Sequence, residues 1–283
     1  MVLQKKPAWN RPLYSRNKER DPGITPMHTI KLVISFDGTN YCGWQKQDNG
    51  PTIQEEIERA VSLICNTATA VHGAGRTDAG VHALGMTAHF QTDCRIELKS
   101  LIKGLNSLLP DAIRILEVTG KSPEFHSRFS ARAKTYRYAV YNGTIECPIR
   151  RLYRTHLPFA LSTSAIRSCL EIITGTHDFG SFEAAGSRDK NHLKGRGAVR
   201  TLFSAELREA ESDLLHFIFT GDGFLRHMVR NIVGTVLEVG QGKRSIEEFK
   251  LLMSQRDRNL AGATAPARGL TLMAVHYGDN WNR

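Results

Sequence analysis

A chain of 283 residues, 41% hydrophobic and 23% charged, can bury a full core without disulfides or a structural metal. That composition excludes a disordered chain, a collagen-like repeat and a disulfide-stapled mini-protein. Its 38 Lys and Arg against 28 Asp and Glu leave a net charge of +10, which favours a polyanionic partner, nucleic acid or an anionic membrane surface.

Residues 1–26 are rich in Lys and Arg (Lys5, Lys6, Arg11, Arg16, Lys18, Arg20) and show no sustained periodicity, so they read as a mobile basic arm. The arm lacks the apolar stretch of a secretory signal and the apolar face of a membrane-surface helix. From Thr29 the pattern alternates, with Ile30, Leu32, Ile34 and Phe36 on one side, which predicts a half-buried strand closed by the Asp37-Gly38 turn. Thr52-Ile53-Gln54-Glu55 has the form of a capping box, and Ile53, Ile57, Val61 and Ile64 follow at helical spacing, so a helix is expected over 52–66. Met86, Ala88 and Phe90 alternate as a strand, 98–109 reads as a helix stopped by Pro110, and 112–119 reads as another strand.

The same grammar returns in the second half. A strand is expected over 134–141, with Tyr136, Tyr138 and Val140 on one face, then a helix over 165–173 and a strand pair at 201–208 and 214–220. A long helix is expected over 224–239, a further one capped by Ser245-Ile246-Glu247-Glu248, and a closing strand over 271–277. On the long helix Arg226, Arg230 and Gly234 would share one face, opposite the apolar Phe224, Met228, Ile232 and Val236. Residues 184–200 form a Gly-rich basic loop, either a solvated connection or a flap that contacts phosphate. The expected architecture is α+β, with two similar halves (27–131 and 132–283) whose antiparallel or mixed sheets join across a central basic cleft.

No apolar run approaches the roughly 18 residues of a membrane-spanning helix. Cys42, Cys65, Cys94, Cys147 and Cys169 are odd in number and none stands at zinc-ligand spacing, so they read as reduced thiols of a cytoplasmic protein. His72, His82, His89, His126 and His227 likewise show no metal pattern, and none is assigned catalysis.

The segment richest in chemistry is Gly73-Ala74-Gly75-Arg76-Thr77-Asp78-Ala79-Gly80-Val81-His82-Ala83. A dinucleotide fingerprint would need a glycine where Asp78 stands, and a phosphate-binding Walker loop would need lysine where Val81 stands. What remains is a carboxylate on a tight glycine loop with Arg76 two residues away. A guanidinium near a carboxylate favours its charged form, and a charged, oriented Asp serves as nucleophile or general base. Alternatively such an Asp merely caps a helix or turn.

That string closely resembles the active-site motif of the tRNA pseudouridine synthase A family. Four further blocks follow the family in order: Phe36-Asp37-Gly38-Thr39-Asn40-Tyr41-Cys42-Gly43-Trp44-Gln45, Phe125-His126-Ser127-Arg128-Phe129-Ser130-Ala131, Lys134-Thr135-Tyr136-Arg137-Tyr138, and the stretch from Phe224 to Gly234 that contains His227-Met228-Val229-Arg230-Asn231. The resemblance implies the pseudouridine synthase fold and an isomerase that converts uridine to pseudouridine at positions 38, 39 and 40 of the tRNA anticodon stem-loop. It implies no cofactor and no metal, tRNA as partner, and a homodimer. It makes Asp78 the catalytic residue, whether it attacks the ribose or carbon 6 of the base. Tyr136 corresponds to the residue that packs on the target uracil and is a candidate for removing the carbon 5 proton. Arg230 corresponds to the partner that ion-pairs the catalytic Asp, and Arg76 to the Arg implicated in extruding the base. The physical reading agrees, because a stem uracil must be flipped out and held by stacking before chemistry can reach it. Two rival readings are a pseudouridine synthase of different RNA regiospecificity and a non-catalytic RNA-binding protein on the same scaffold.

Overall fold

Why the alternating segments become neighbours is seen in the computed structural model, which describes residues 27–186 and 196–278. The basic arm expected at 1–26, and positions 187–195 of the expected basic loop, lie outside the described residues. In chain order the elements are β1 (His28–Phe36), α1 (Ile53–Cys65), β2 (His72–Gly73), β3 (His82–Thr92), α2 (Leu98–Leu108), β4 (Ile113–Lys121) and β5 (Ala131–Tyr141). They continue with β6 (Thr155–His156), α3 (Thr163–Ile173), β7 (Gly175–Asp178), β8 (Val199–Glu211), β9 (Leu214–Gly221), α4 (Met228–Gly240), α5 (Ile246–Gln255) and β10 (Leu270–Tyr277).

The strands form one open mixed sheet in the order β4-β1-β3-β10-β5-β9-β8-β7, with β2 paired to β3 and β6 to β5. This bears out the α+β expectation. The last strand, β10, inserts between β3 and β5, parallel to β3 at Thr271–His82 and Leu272–Ala83 and antiparallel to β5. The alternation in the sequence places Ile30, Leu32, Ile34 and Phe36, then Met86, Ala88 and Phe90, then Tyr136, Tyr138 and Val140 in one apolar core. The buried stripes of the helices, Ile53, Ile57 and Val61 of α1 and Met228, Ile232 and Val236 of α4 among them, complete it.

Three of the helix starts carry a side-chain cap. The Thr52 hydroxyl accepts from the Glu55 N–H, Ser162 accepts from Ala165, and Ser245 with Glu248 forms both halves of a capping box. One boundary differs in a way that matters. The helix expected from Phe224 begins only at Met228, because His227 sits in the left-handed region at φ 62° as its N-cap. Arg226 therefore does not share a helical face with Arg230, and Phe224 leaves the apolar stripe to meet Tyr136 edge-on at 4.9 Å. Strands β2, β6 and β7 have two to four residues each, too short to announce themselves by alternation.

Candidate active site

The glycine loop is held on two sides before it presents Asp78. Ala74 donates to the Thr87 carbonyl of β3 (2.8 Å), and Trp44 donates to the Thr77 carbonyl (3.1 Å). From Asp78 to Val81 the chain makes a tight turn, with the Val81 N–H on the Asp78 carbonyl (3.2 Å) and Gly80 third in the turn at φ +75°. That conformation is one glycine adopts without steric penalty. Gly43, at φ +96°, lies so close that a Cβ there would stand 3.0 Å from the Asp78 carbonyl carbon. The Asp37–Gln45 block is thus the bed on which the glycine loop rests.

Across from the loop stands α4. Arg230, in its first turn, donates from Nη1 to Asp78 Oδ2 at 2.8 Å and from Nε to the Ala265 carbonyl at 2.8 Å. Ala265 returns a bond from its N–H to the Arg230 carbonyl (3.1 Å). Gly234, one turn on, lets the helix back lie directly against the Ala263 carbonyl. The guanidinium is therefore fixed by the backbone that leads into β10, and it fixes the carboxylate in turn. The side chains are 15% and 24% exposed, so the charge-assisted bond is sheltered while the carboxylate stays reachable.

His227 was not assigned a part in the site, yet its Nε2 lies 3.5 Å from the same Asp78 oxygen. Burial pushes its imidazole below the ordinary value, with Arg230, Arg226 and Arg258 adding to the effect and Asp78 opposing it. The sequence showed the histidine inside its block but not the left-handed backbone that turns the ring toward Asp78.

Tyr136 projects from β5 into the same space and is 8% exposed. Burial first, and then the charge of Asp78, push its phenol far above the usual value, so it carries its proton throughout the physiological range. The structure thus brings Asp78, Tyr136 and Arg230 together. It does not bring Arg76 to them: Arg76 is exposed at the loop rim, where its Nε donates to Gln45 Oε1 at 3.1 Å. The guanidinium that holds Asp78 is Arg230, not the sequence neighbour Arg76.

The remaining histidines have other partners. His82 accepts from the Gly38 N–H at Nδ1 (3.2 Å) and donates from Nε2 to the Leu152 carbonyl (3.1 Å). His72, His89 and His126 line a hollow of about 340 Å³ that shares no residue with the Asp78 site. Their rings lie 4.6 to 6.0 Å apart, centre to centre. Among the described residues no group of His, Cys, Asp and Glu is arranged to hold a metal ion.

Comparison with known proteins gives this geometry a context. The family model for tRNA pseudouridine synthase matches residues 32–130 and 170–278. A protein named tRNA pseudouridine synthase A 1 from Desulfotalea psychrophila is 52% identical over 251 residues, covering 89% of this chain and 100% of that one. Relatives named tRNA pseudouridine synthase A from a Geobacter species (45% identical; 89% of this chain, 100% of the relative) and from Geobacillus kaustophilus (44%; 88% and 95%) are similar over the same span.

Proposed function

The chain belongs to the tRNA pseudouridine synthase A family, an isomerase family that converts uridine to pseudouridine in tRNA, and from that premise we propose how its own residues do so. The reaction breaks the bond between uracil N1 and ribose C1′, turns the ring, and joins C5 to C1′. N1 ends protonated and C5 gives up its proton, so nothing is oxidised or reduced. The chain must expose the uridine, supply a nucleophile and hold the detached ring.

Asp78 is the nucleophile, acting at C1′ of the ribose or at C6 of the base. A single observation carries this reading: its carboxylate is partly exposed, held at 2.8 Å by a guanidinium that is itself anchored to Ala265. Preorganisation of this kind is effective because the charge need not be reoriented as the reaction proceeds. Arg230 orients the carboxylate. Tyr136 supports the flipped uracil; because its phenol keeps its proton, it takes the C5 proton only as its own passes to N1, and it ends as it began. Arg76, at the rim, is in a position to fill the space an extruded base leaves in the stem.

Positions 38, 39 and 40 of the anticodon stem-loop are the targets this reading assigns. A homodimer is assigned on the family resemblance, and a cytoplasmic location on five free thiols, which suit a reducing compartment. The insertion of β10 between two sets of strands supports treating 27–131 and 132–283 as two α+β units. The experiment is pseudouridine mapping in tRNA from cells lacking the gene, with the wild-type gene or one carrying Asp78→Asn added back. The expected result is loss at 38, 39 and 40, restored only by wild type. Loss at other RNA positions would give the regiospecificity to the rival synthase reading, and an unchanged map to the RNA-binding one.

A further inference from the structure

Among the described residues, four other than glycine have a left-handed backbone: Asn66, Asp213, His227 and Arg256. Three of them stand where the fold turns. Asn66 and Arg256 close α1 and α5 at their C-termini, a usual place for that conformation, and Asp213 lies in the tight turn between β8 and β9. His227 has no such reason. It is the N-cap of α4, a position where extended backbone and a short oxygen-bearing side chain are preferred. Thr52, Ser162 and Ser245 meet that preference at α1, α3 and α5, with extended backbones and hydroxyls that cap. The His227 side chain makes no cap bond, and its φ of 62° is strained for such a residue. Strain of this kind gathers where function needs it.

What the conformation delivers is the ring. His227 Nε2 comes to 3.5 Å from Asp78 Oδ2, the same oxygen that accepts from Arg230 Nη1 at 2.8 Å. Among the described residues no hydrogen bond or ion pair reaches Asp78 Oδ1. Both neighbours thus stand on one oxygen of the carboxylate and leave the other open. Burial holds the imidazole below its ordinary value; Asp78 opposes this, and Arg230, Arg226 and Arg258 add to it. The ring is therefore neutral near pH 7, with one N–H to give. A neutral donor adds a bond without adding a second positive charge beside the nucleophile. At 3.5 Å that bond is long, as catalytic hydrogen bonds often are before substrate binds.

We propose that His227 is a positioning residue: its Nε2–H closes on Asp78 Oδ2 when the uridine enters, so that Arg230 and His227 together fix that oxygen and Oδ1 is the one that reacts. The inference rests on Asp78 being the nucleophile. His227 acts through that carboxylate alone.

Two amides supply the test. Glutamine carries its N–H where histidine has Nε2, whereas asparagine carries its own nearer the backbone, at the place of Nδ1. Asparagine also adopts the left-handed backbone readily, so His227→Asn is expected to melt no lower than wild type. It is expected to bind anticodon stem-loop RNA within about twofold of wild type and to lose about tenfold or more in single-turnover rate, the worth of one hydrogen bond to a charged group. His227→Gln recovers the rate to within about threefold of wild type, because its N–H reaches Oδ2 again. A full rate in His227→Asn would overturn the proposal. So would equal losses in the two folded variants, which would assign the effect to the packing of the ring, or a loss confined to RNA affinity. Asp78→Asn is assayed alongside. If it isomerises like wild type, the nucleophile reading itself fails; if it is inactive while His227→Asn keeps its full rate, only the role of His227 falls.

Discussion

Tyr136 answers to two demands at once. On β5 it belongs to the apolar core with Tyr138 and Val140, and it also feels the charge of the Asp78 carboxylate. The two demands separate by substitution. Tyr136→Ala leaves a cavity where an aromatic ring was buried and is expected to cost about 3–5 kcal/mol of stability, visible as a lowered melting temperature. Tyr136→Phe keeps the ring, its edge-on contact with Phe224 and the stacking surface. It is expected to retain the fold and tRNA affinity while losing about 10²-fold or more in kcat, the typical worth of a positioned proton donor or acceptor. Full turnover by Tyr136→Phe would reduce the residue to a stacking platform.

At the scale of elements, the bed under the loop is as important as the loop. Gly43 has a backbone conformation that favours glycine, and its Cα faces the Thr77–Asp78 backbone. Gly43→Ala is expected to cost about 2 kcal/mol or more and to depress kcat, because the carboxylate is displaced. Unchanged kcat with a lowered melting temperature would mean that the loop holds its shape without this contact. The pairing of β2 with β3 has its own signature. His89 is buried at Ser127, accepting from its N–H at 3.2 Å, and burial with the nearby His126 and His72 pushes it down to about 4. The native state therefore binds fewer protons than the unfolded chain between that value and about 6.5, so stability falls as pH drops through this window, by up to about 3 kcal/mol. His89→Gln is expected to flatten that part of the stability profile in urea titrations at pH 7 and 5. These elements also show what the sequence could convey. The strands over Thr29–Phe36 and Lys134–Tyr141 and the capped helices were legible because burial imposes period 2 or 3.6 on the residues themselves. The start of α4 was not, since Phe224 fits the helical period and only the left-handed His227 interrupts it.

Across the whole molecule, Asp78 and Arg230 are 152 residues apart in the chain and 2.8 Å apart in space. Local pattern marked each block as chemically dense, and family resemblance paired them. No periodicity could show that β10 would enter between β3 and β5 and draw the Ala265 segment, and with it α4, against the loop. Arg76, only two residues from Asp78 in the chain, stands at the rim on Gln45. The central claim is that Asp78 supplies the reacting oxygen. Single-turnover isomerisation of anticodon stem-loop RNA by Asp78→Asn, measured beside its RNA affinity, tests it most directly. The account predicts affinity within a few-fold of wild type and a rate reduced by about 10³-fold or more. A variant that binds normally and still isomerises at a rate near wild type would contradict it.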